Sequence, residues 1–244
     1  MPFGYTGCTM PLIPLIVIGI SAFAIIGIIL LGRPRRFYFV RHGETLLNAQ
    51  HIRQGREGAL SERGRNQAEK IGQLFKNLHI ERIISSTYPR AQETAEIINT
   101  HLKVSITCSE LLAERRNPSE IVGKSTRDPE VIRIVDQMDL AYHEDEYRFS
   151  DEENFVELKE RARECLNFLA SQNARGSVVV THHHFLKMFL AYLLHRERLH
   201  ASDFVKLSFF NFSDNAGITV CDFYPLKTFS PTLGWEVISF NQTP

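Results

Sequence analysis

The chain has 244 residues, 43% hydrophobic and 23% charged, enough to bury one good core in a globular domain of roughly 200 residues plus a tail. Lys+Arg and Asp+Glu both number 28, so no global basic field favours nucleic acid as a partner. Cys8, Cys108, Cys165 and Cys221 are scattered without a Cys-x-x-Cys pair, which argues against a zinc site or disulfide framework; the last three read as small buried or half-buried residues of a reducing compartment, with a disulfide between distant ones left open.

Pro11 to Gly32 is a continuous apolar run whose only polar side chain is Ser21, and about 20 such residues span a bilayer as a helix. No Lys or Arg precedes the run, while Arg33, Arg35 and Arg36 follow at once, which by the positive-inside rule puts the rest of the chain in the cytoplasm. The expectation is a tail at 1–10, a transmembrane helix at 11–32, a basic linker at 33–36 and a domain at 37–244, in a single-pass membrane protein with the lipid bilayer as a partner. A cleaved signal peptide is the rival, but it wants a basic leader, a shorter apolar stretch and a small-residue cleavage site.

Phe37 to Val40 is a run of aromatic and β-branched residues suited to a strand buried on both faces, and its hydrophobicity stops at Arg41, His42 and Gly43. In open α/β sheets the carboxyl ends of strands meet ligands, and a glycine there lets backbone approach closely. Ser61 is an N-cap for a helix carrying Ala68, Ile71, Leu74 and Phe75 on one face. Ile80 to Ser85 reads as a second buried strand. Pro89 fits the first position of a helix to about Leu102, so Arg90 sits in the first turn, where a cation is misplaced unless an anion comes there. A third strand runs around Val104 to Cys108.

From Arg115 to Glu152 the sequence is charged and aperiodic apart from a possible short helix near Pro129 to Met138. Phe155, Leu158, Ala162, Cys165, Leu166 and Leu169 recur at helical spacing within 153–172. Ser177 to Thr181 is a buried strand ending in His182, His183 and His184, followed by the apolar Phe185 to Leu194. Consecutive histidines at a strand-to-helix turn cannot all converge on one metal ion, and no carboxylate cluster accompanies them. Strand-like runs close the chain at Phe204 to Phe210, Gly217 to Phe223 and Trp235 to Phe240.

The segment Phe39-Val-Arg-His-Gly-Glu-Thr45 with Asn48 resembles the signature of the histidine phosphatase superfamily, the phosphoglycerate-mutase-like fold, in its phosphatase branch. Gln54-Gly55, Leu60-Ser61, Gly64 and Gln67-Ala68 match the superfamily's next pattern, Ser86-x-x-x-Arg90-Ala91-x-x-Thr94-Ala95 resembles its second phosphate-binding element, and Asn215 to Thr219 and Asn241 to Thr243 resemble its closing segments. The resemblance implies an α/β three-layer sandwich, with a mostly parallel central sheet and helices on both faces, following the one transmembrane helix. It makes His42 the phosphate acceptor, His182 the second active-site histidine and Glu114 the general acid, with Glu110 and Glu120 as fallbacks. Arg41, Arg90, Asn48 and His183 would bind the phosphate; His183 stands where the family carries glycine, so it narrows the pocket or adds a donor, and His184 is a supporting position. The region from Arg115 to Glu152 would be a lid that selects the substrate, where Arg115, Arg116 and Lys124 could meet extra negative charge.

Phosphoryl transfer needs an in-line nucleophile, cations around the equatorial oxygens and a proton for the departing alkoxide. Neutral His42 would form a phosphohistidine, Arg41 and Arg90 would grip the oxygens, His182 if protonated would add a third positive donor, and Glu114 would supply and retrieve the proton. With so many cationic donors no metal or cofactor is needed. The expected partner is a small phosphorylated substrate or a phosphoprotein, and nothing sets the oligomeric state. Two alternatives stand beside hydrolysis: mutase-type transfer, from which Gln54-Gly55-Arg56 and His182-His183-His184 depart, and a silent phospholigand-binding adaptor.

Overall fold

In the computed structural model, which describes residues 32–141, 143–207, 213–227, 230 and 232–244, the aromatic run after Arg36 lies in β1 (Arg35–Arg41). Four-residue α1 (Leu46–Ala49) and α2 (Glu62–Phe75) follow, then β2 (Arg82–Ser86), α3 (Pro89–Leu102) and β3 (Ser105–Ser109). The chain continues through α4 (Pro129–Leu140), α5 (Phe155–Ser171), β4 (Gly176–Thr181), α6 (His183–His195), α7 (Ala201–Lys206), β5 (Ile218–Phe223) and β6 (Trp235–Gln242).

The sheet order is β3-β2-β4-β1-β5-β6. The first four are parallel to one another, and β5 and β6 run antiparallel to their neighbours. Alternation along the strands divides the core. Val40, Ile83, Val178 and Val180 pack with Ile71 and Phe75 of α2 and Ala91, Ala95 and Ile98 of α3. Phe37, Phe39, Ile84 and Val179 face the other way, against α5 and α6. The Phe39 ring meets Phe189 at 4.8 Å, and burial of each such ring stabilises by about 1.5–3 kcal/mol, so the strand bearing Arg41 is anchored on both faces. This is the expected three-layer sandwich.

The membrane part of the expectation is corrected. Among the described residues no helix is long and apolar enough to cross a membrane. The longest, α5, has 17 residues and is amphipathic, where a span needs about 20 apolar ones. A fold preceded by a transmembrane helix and a single-pass membrane localisation are therefore not supported, nor is a bilayer contact; residues 11–31, on which they rested, lie outside the described residues.

Two smaller corrections concern the chain's second half. The strand expected from Phe204 is helix α7 as far as Lys206, and 208–210 lie outside the described residues. Cys108 is exposed on edge strand β3, while Cys165 and Cys221 are buried, and all three are free thiols.

Caps fix where the helices begin. Ser61 Oγ accepts from Gly64 N (3.0 Å) at the start of α2 and donates to Glu44 Oε1 (2.8 Å), which ties the helix to the loop after β1. A Cβ on Gly43 would stand 2.5 Å from the Gly64 carbonyl oxygen, so only glycine lets this loop lie against the helix. His42 is held in place by that contact.

Candidate active site

β1 and β4 are adjacent and in register, with Arg41 opposite Thr181, so His42 and His182 leave the sheet side by side. Their rings lie 5.1 Å apart. β2, on the other side of β4, ends at Ser86 and leads into α3, where Pro89 occupies the first turn and Arg90 is carried inward to 2% exposure. Arg41, His42, Asn48, Arg90, Glu114 and His183 all line one cavity of ≈ 290 Å³. Of the expected site residues only His182 does not reach its wall.

His42 Nδ1 lies 2.8 Å from the Gly43 carbonyl oxygen. Because a carbonyl only accepts, Nδ1 carries the proton and Nε2 keeps its lone pair. Burial, then the charges of Arg90 and Arg41, hold the His42 pKa well below its ordinary value, so the ring is neutral. His182 Nε2 pairs with Ser86 Oγ at 2.8 Å, its Nδ1 is buried without a partner, and Tyr88 meets the ring edge-on at 5.0 Å. Burial, Arg90 and His42 also push its pKa far down. In the ligand-free protein the third positive donor expected from sequence is a neutral imidazole.

The two arginines are held by backbone and keep donors in reserve. One guanidinium nitrogen of Arg90 donates to the carbonyls of Gly55 (3.0 Å), Arg56 (3.1 Å) and Glu57 (3.3 Å), so the backbone from Gly55 to Glu57 holds this side chain. Arg41 donates to the Ser213 carbonyl, and the Nε of each arginine is buried without a partner. Burial lowers both pKa values from the ordinary arginine range. Asn48 closes a capping box with Thr45 through its Oδ1, which Asn215 also contacts at 3.4 Å, leaving its amide N–H groups for a ligand.

Glu114 lines the cavity and also carries a contact that the sequence did not indicate. Its Oε1 accepts from Arg115 N and Phe185 N (both 2.9 Å) and its Oε2 from His184 N (3.2 Å). The carboxylate thus caps α6, whose own N-cap residue His182 supplies no side-chain bond. Neither fallback acid lines the cavity: Glu110 pairs with Arg56 at the surface, and Glu120 accepts from Ser150. His183 Nδ1 meets Ser213 Oγ at 2.6 Å, and burial lowers its pKa against the opposing pull of Glu114. His184 lies 3.3 Å from an Arg115 nitrogen and packs edge-on against Phe204. The three consecutive histidines therefore turn to three different partners.

Sequence reasoning missed Tyr88, whose ring lies 4.9 Å from the Arg90 guanidinium, and Ser213, which serves both Arg41 and His183. It also missed Arg53, which lines the cavity. Of the lid cations, Arg115 reaches the cavity, whereas Lys124 pairs with Glu130 and Arg116 donates to the Asp151 carbonyl.

Four histidines with depressed pKa values make stability depend on pH. His42, His182, His183 and His184 are all lowered, mainly by burial. Below about pH 6.5 the unfolded chain takes up protons that the folded one refuses, so stability holds above that value and falls as pH drops, by at most about 1.4 kcal/mol per pH unit for each histidine. Thermal unfolding between pH 7.5 and 5.5 should show the decline, and His182→Asn should make it shallower; an equal slope in that variant contradicts the assignment.

The model of the histidine phosphatase superfamily (branch 1) matches residues 37–232. The probable phosphoglycerate mutase GpmB of Erwinia tasmaniensis is 42% identical over 78 residues, 32% of this chain and 36% of that protein, and its counterpart in Cronobacter sakazakii is 48% identical over 62 residues, 25% of this chain and 29% of that one. The chain thus spans about a third of the length of the curated relatives it matches. Among solved structures, a mycobacterial glucosyl-3-phosphoglycerate phosphatase superposes with a TM-score of 0.69 at 22% identity, covering 86% of this chain and all of that one. A putative alpha-ribazole-5'-P phosphatase from Escherichia coli gives 0.70 at 19%, covering 85% and 96%. With a family match running from the first strand almost to the last, the chain belongs to the histidine phosphatase superfamily, branch 1.

Proposed function

We infer that the protein hydrolyses phosphate monoesters through a phosphohistidine on His42. The observation that carries this reading is a neutral imidazole in the cavity wall, its Nδ1 fixed on the Gly43 carbonyl and its Nε2 unprotonated, beside two buried guanidiniums with donors to spare. Nε2 attacks phosphorus while Arg41 and Arg90 hold the non-bridging oxygens, with Asn48 and His183 as further donors. A phosphoryl dianion in the cavity opposes the Arg90 charge, which adds to burial in keeping His182 neutral, and so favours a proton on the imidazole behind His42. Glu114 faces the same cavity; in its protonated form it delivers the leaving group's proton and becomes the carboxylate, which then takes a proton from the attacking water and is restored to the acid.

Full-length protein should hydrolyse 4-nitrophenyl phosphate with a rate unchanged by chelator, because the oxygens are held by guanidinium and imidazole groups. A rate abolished by chelator would overturn the metal-free mechanism. The GpmB relatives favour one second reading, transfer of the phosphate within phosphoglycerate. Release of inorganic phosphate measured beside isomerisation of phosphoglycerate separates the two.

A further inference from the structure

The cavity that holds His42 contains a second cationic group. Four arginines line it, Arg41, Arg53, Arg90 and Arg115, against two carboxylates, Glu114 and Asp139. His42 feels chiefly the charges of Arg90 and Arg41, whereas Arg53 feels those of Arg115 and Asp139. Two pairs of like charges thus share one small space, and the phosphate chemistry above uses only the first.

Arg53 is presented by a rigid strap. Its N–H donates to the Lys124 carbonyl and its carbonyl accepts from Gly123 N, both at 2.9 Å; Ile52 bridges Ser125, and Thr126 N donates to the His51 carbonyl at 2.7 Å. The loop after β1 is zipped to the start of the lid, and the side chain between them lines the cavity. Its Nε is buried without a partner, and among the described residues the guanidinium makes no hydrogen bond or ion pair. Burial and the neighbouring Arg115 disfavour its charge, and the countering Asp139 is exposed to water. A half-buried, unpaired guanidinium facing another arginine is costly unless an anion completes it.

We propose that Arg53, with Arg115, forms a second anion-binding subsite, so that the substrate is a small phosphomonoester bearing another anionic group, a carboxylate or a second phosphate. The proposal rests on the phosphatase reading above and names its substrate class. The planar fork of arginine matches either anion in two-point contact. A volume of ≈ 290 Å³ suits a substrate of a few carbons.

Binding to full-length protein carrying His42→Ala, which removes the proposed nucleophile, tests this by calorimetry. The ligands are glycerol 3-phosphate with one anionic group, 3-phosphoglycerate with an added carboxylate, and propane-1,3-diol bisphosphate with an added phosphate. At least one doubly anionic ligand should bind about tenfold or more tighter than glycerol 3-phosphate, and which one does so identifies the second anion. Adding Arg53→Gln should erase that advantage, Arg53→Lys should keep part of it, and Arg133→Gln, which removes an exposed charge from α4, should leave it in place. Equal affinities in the parent, binding of none of the three, or an equal loss for all three in Arg53→Gln overturns the subsite. The phosphatase reading fails separately, if unmodified protein does not turn over an aryl phosphate.

Discussion

Replacing His42 by alanine is expected to reduce phosphomonoester turnover by about 10⁴-fold or more while the fold survives. Among the described residues no neighbouring side chain is placed to take over. His182 is fully buried, hydrogen-bonded to Ser86 and absent from the cavity wall; His183 is engaged with Ser213. What remains in the variant is electrostatic: Arg41 and Arg90, the phosphate donors proposed above, are still in the cavity wall, so phosphate affinity should fall far less than turnover does. Rapid quenching of unmodified protein with labelled substrate should trap a phosphoryl group that acid releases and base does not, the behaviour of a phosphorus–nitrogen bond. Turnover within tenfold of the unmodified protein in His42→Ala would show that water attacks directly and that His42 is a bystander.

The parts of this site that were legible beforehand share one property: their signal is local. Phe37 to Val40 and Val178 to Val180 are apolar runs that stop abruptly, at Arg41 and at Thr181-His182, and an abrupt stop marks a strand end whether or not the partner strands are known. Arg90 was readable because Pro89 fixes the helix start one residue earlier. What stayed hidden depends on partners far along the chain. Arg53 acquires its place from Gly123 and Lys124, and Glu114 becomes the cap of a helix that begins about 70 residues later. α7 shows the same cause in the fold. Phe204 and Val205 have strand-like composition, yet the helix forms because Asp145, from the lid, accepts from Ala201 N at 2.8 Å and also meets His200. Cys108 was misjudged because no local feature reveals that β3 is the sheet's edge.

Glu114→Gln is expected to separate the cap that Glu114 forms on α6 from the proton transfer proposed for it. As a proton donor, Glu114 matters in proportion to how badly the leaving group needs a proton; as the cap of α6, it matters equally for every substrate. The glutamine side-chain oxygen can still accept from the backbone N–H groups of Arg115, His184 and Phe185, though not from all three as well as two carboxylate oxygens do, so stability should drop by about 1 kcal/mol. In kcat/KM, which reports phosphorylation of His42 and not the later attack of water, an alkyl phosphate, whose alkoxide cannot leave unprotonated, should lose about 10²–10⁴-fold, while 4-nitrophenyl phosphate, whose phenolate leaves unaided, should lose only a few-fold. Glu114→Ala removes both duties, and its extra loss over Glu114→Gln on the aryl ester then reports the cap alone. Equal losses on the two esters in Glu114→Gln would assign Glu114 to holding His183 and His184 at the cavity wall, and the proton would have to come from another group there.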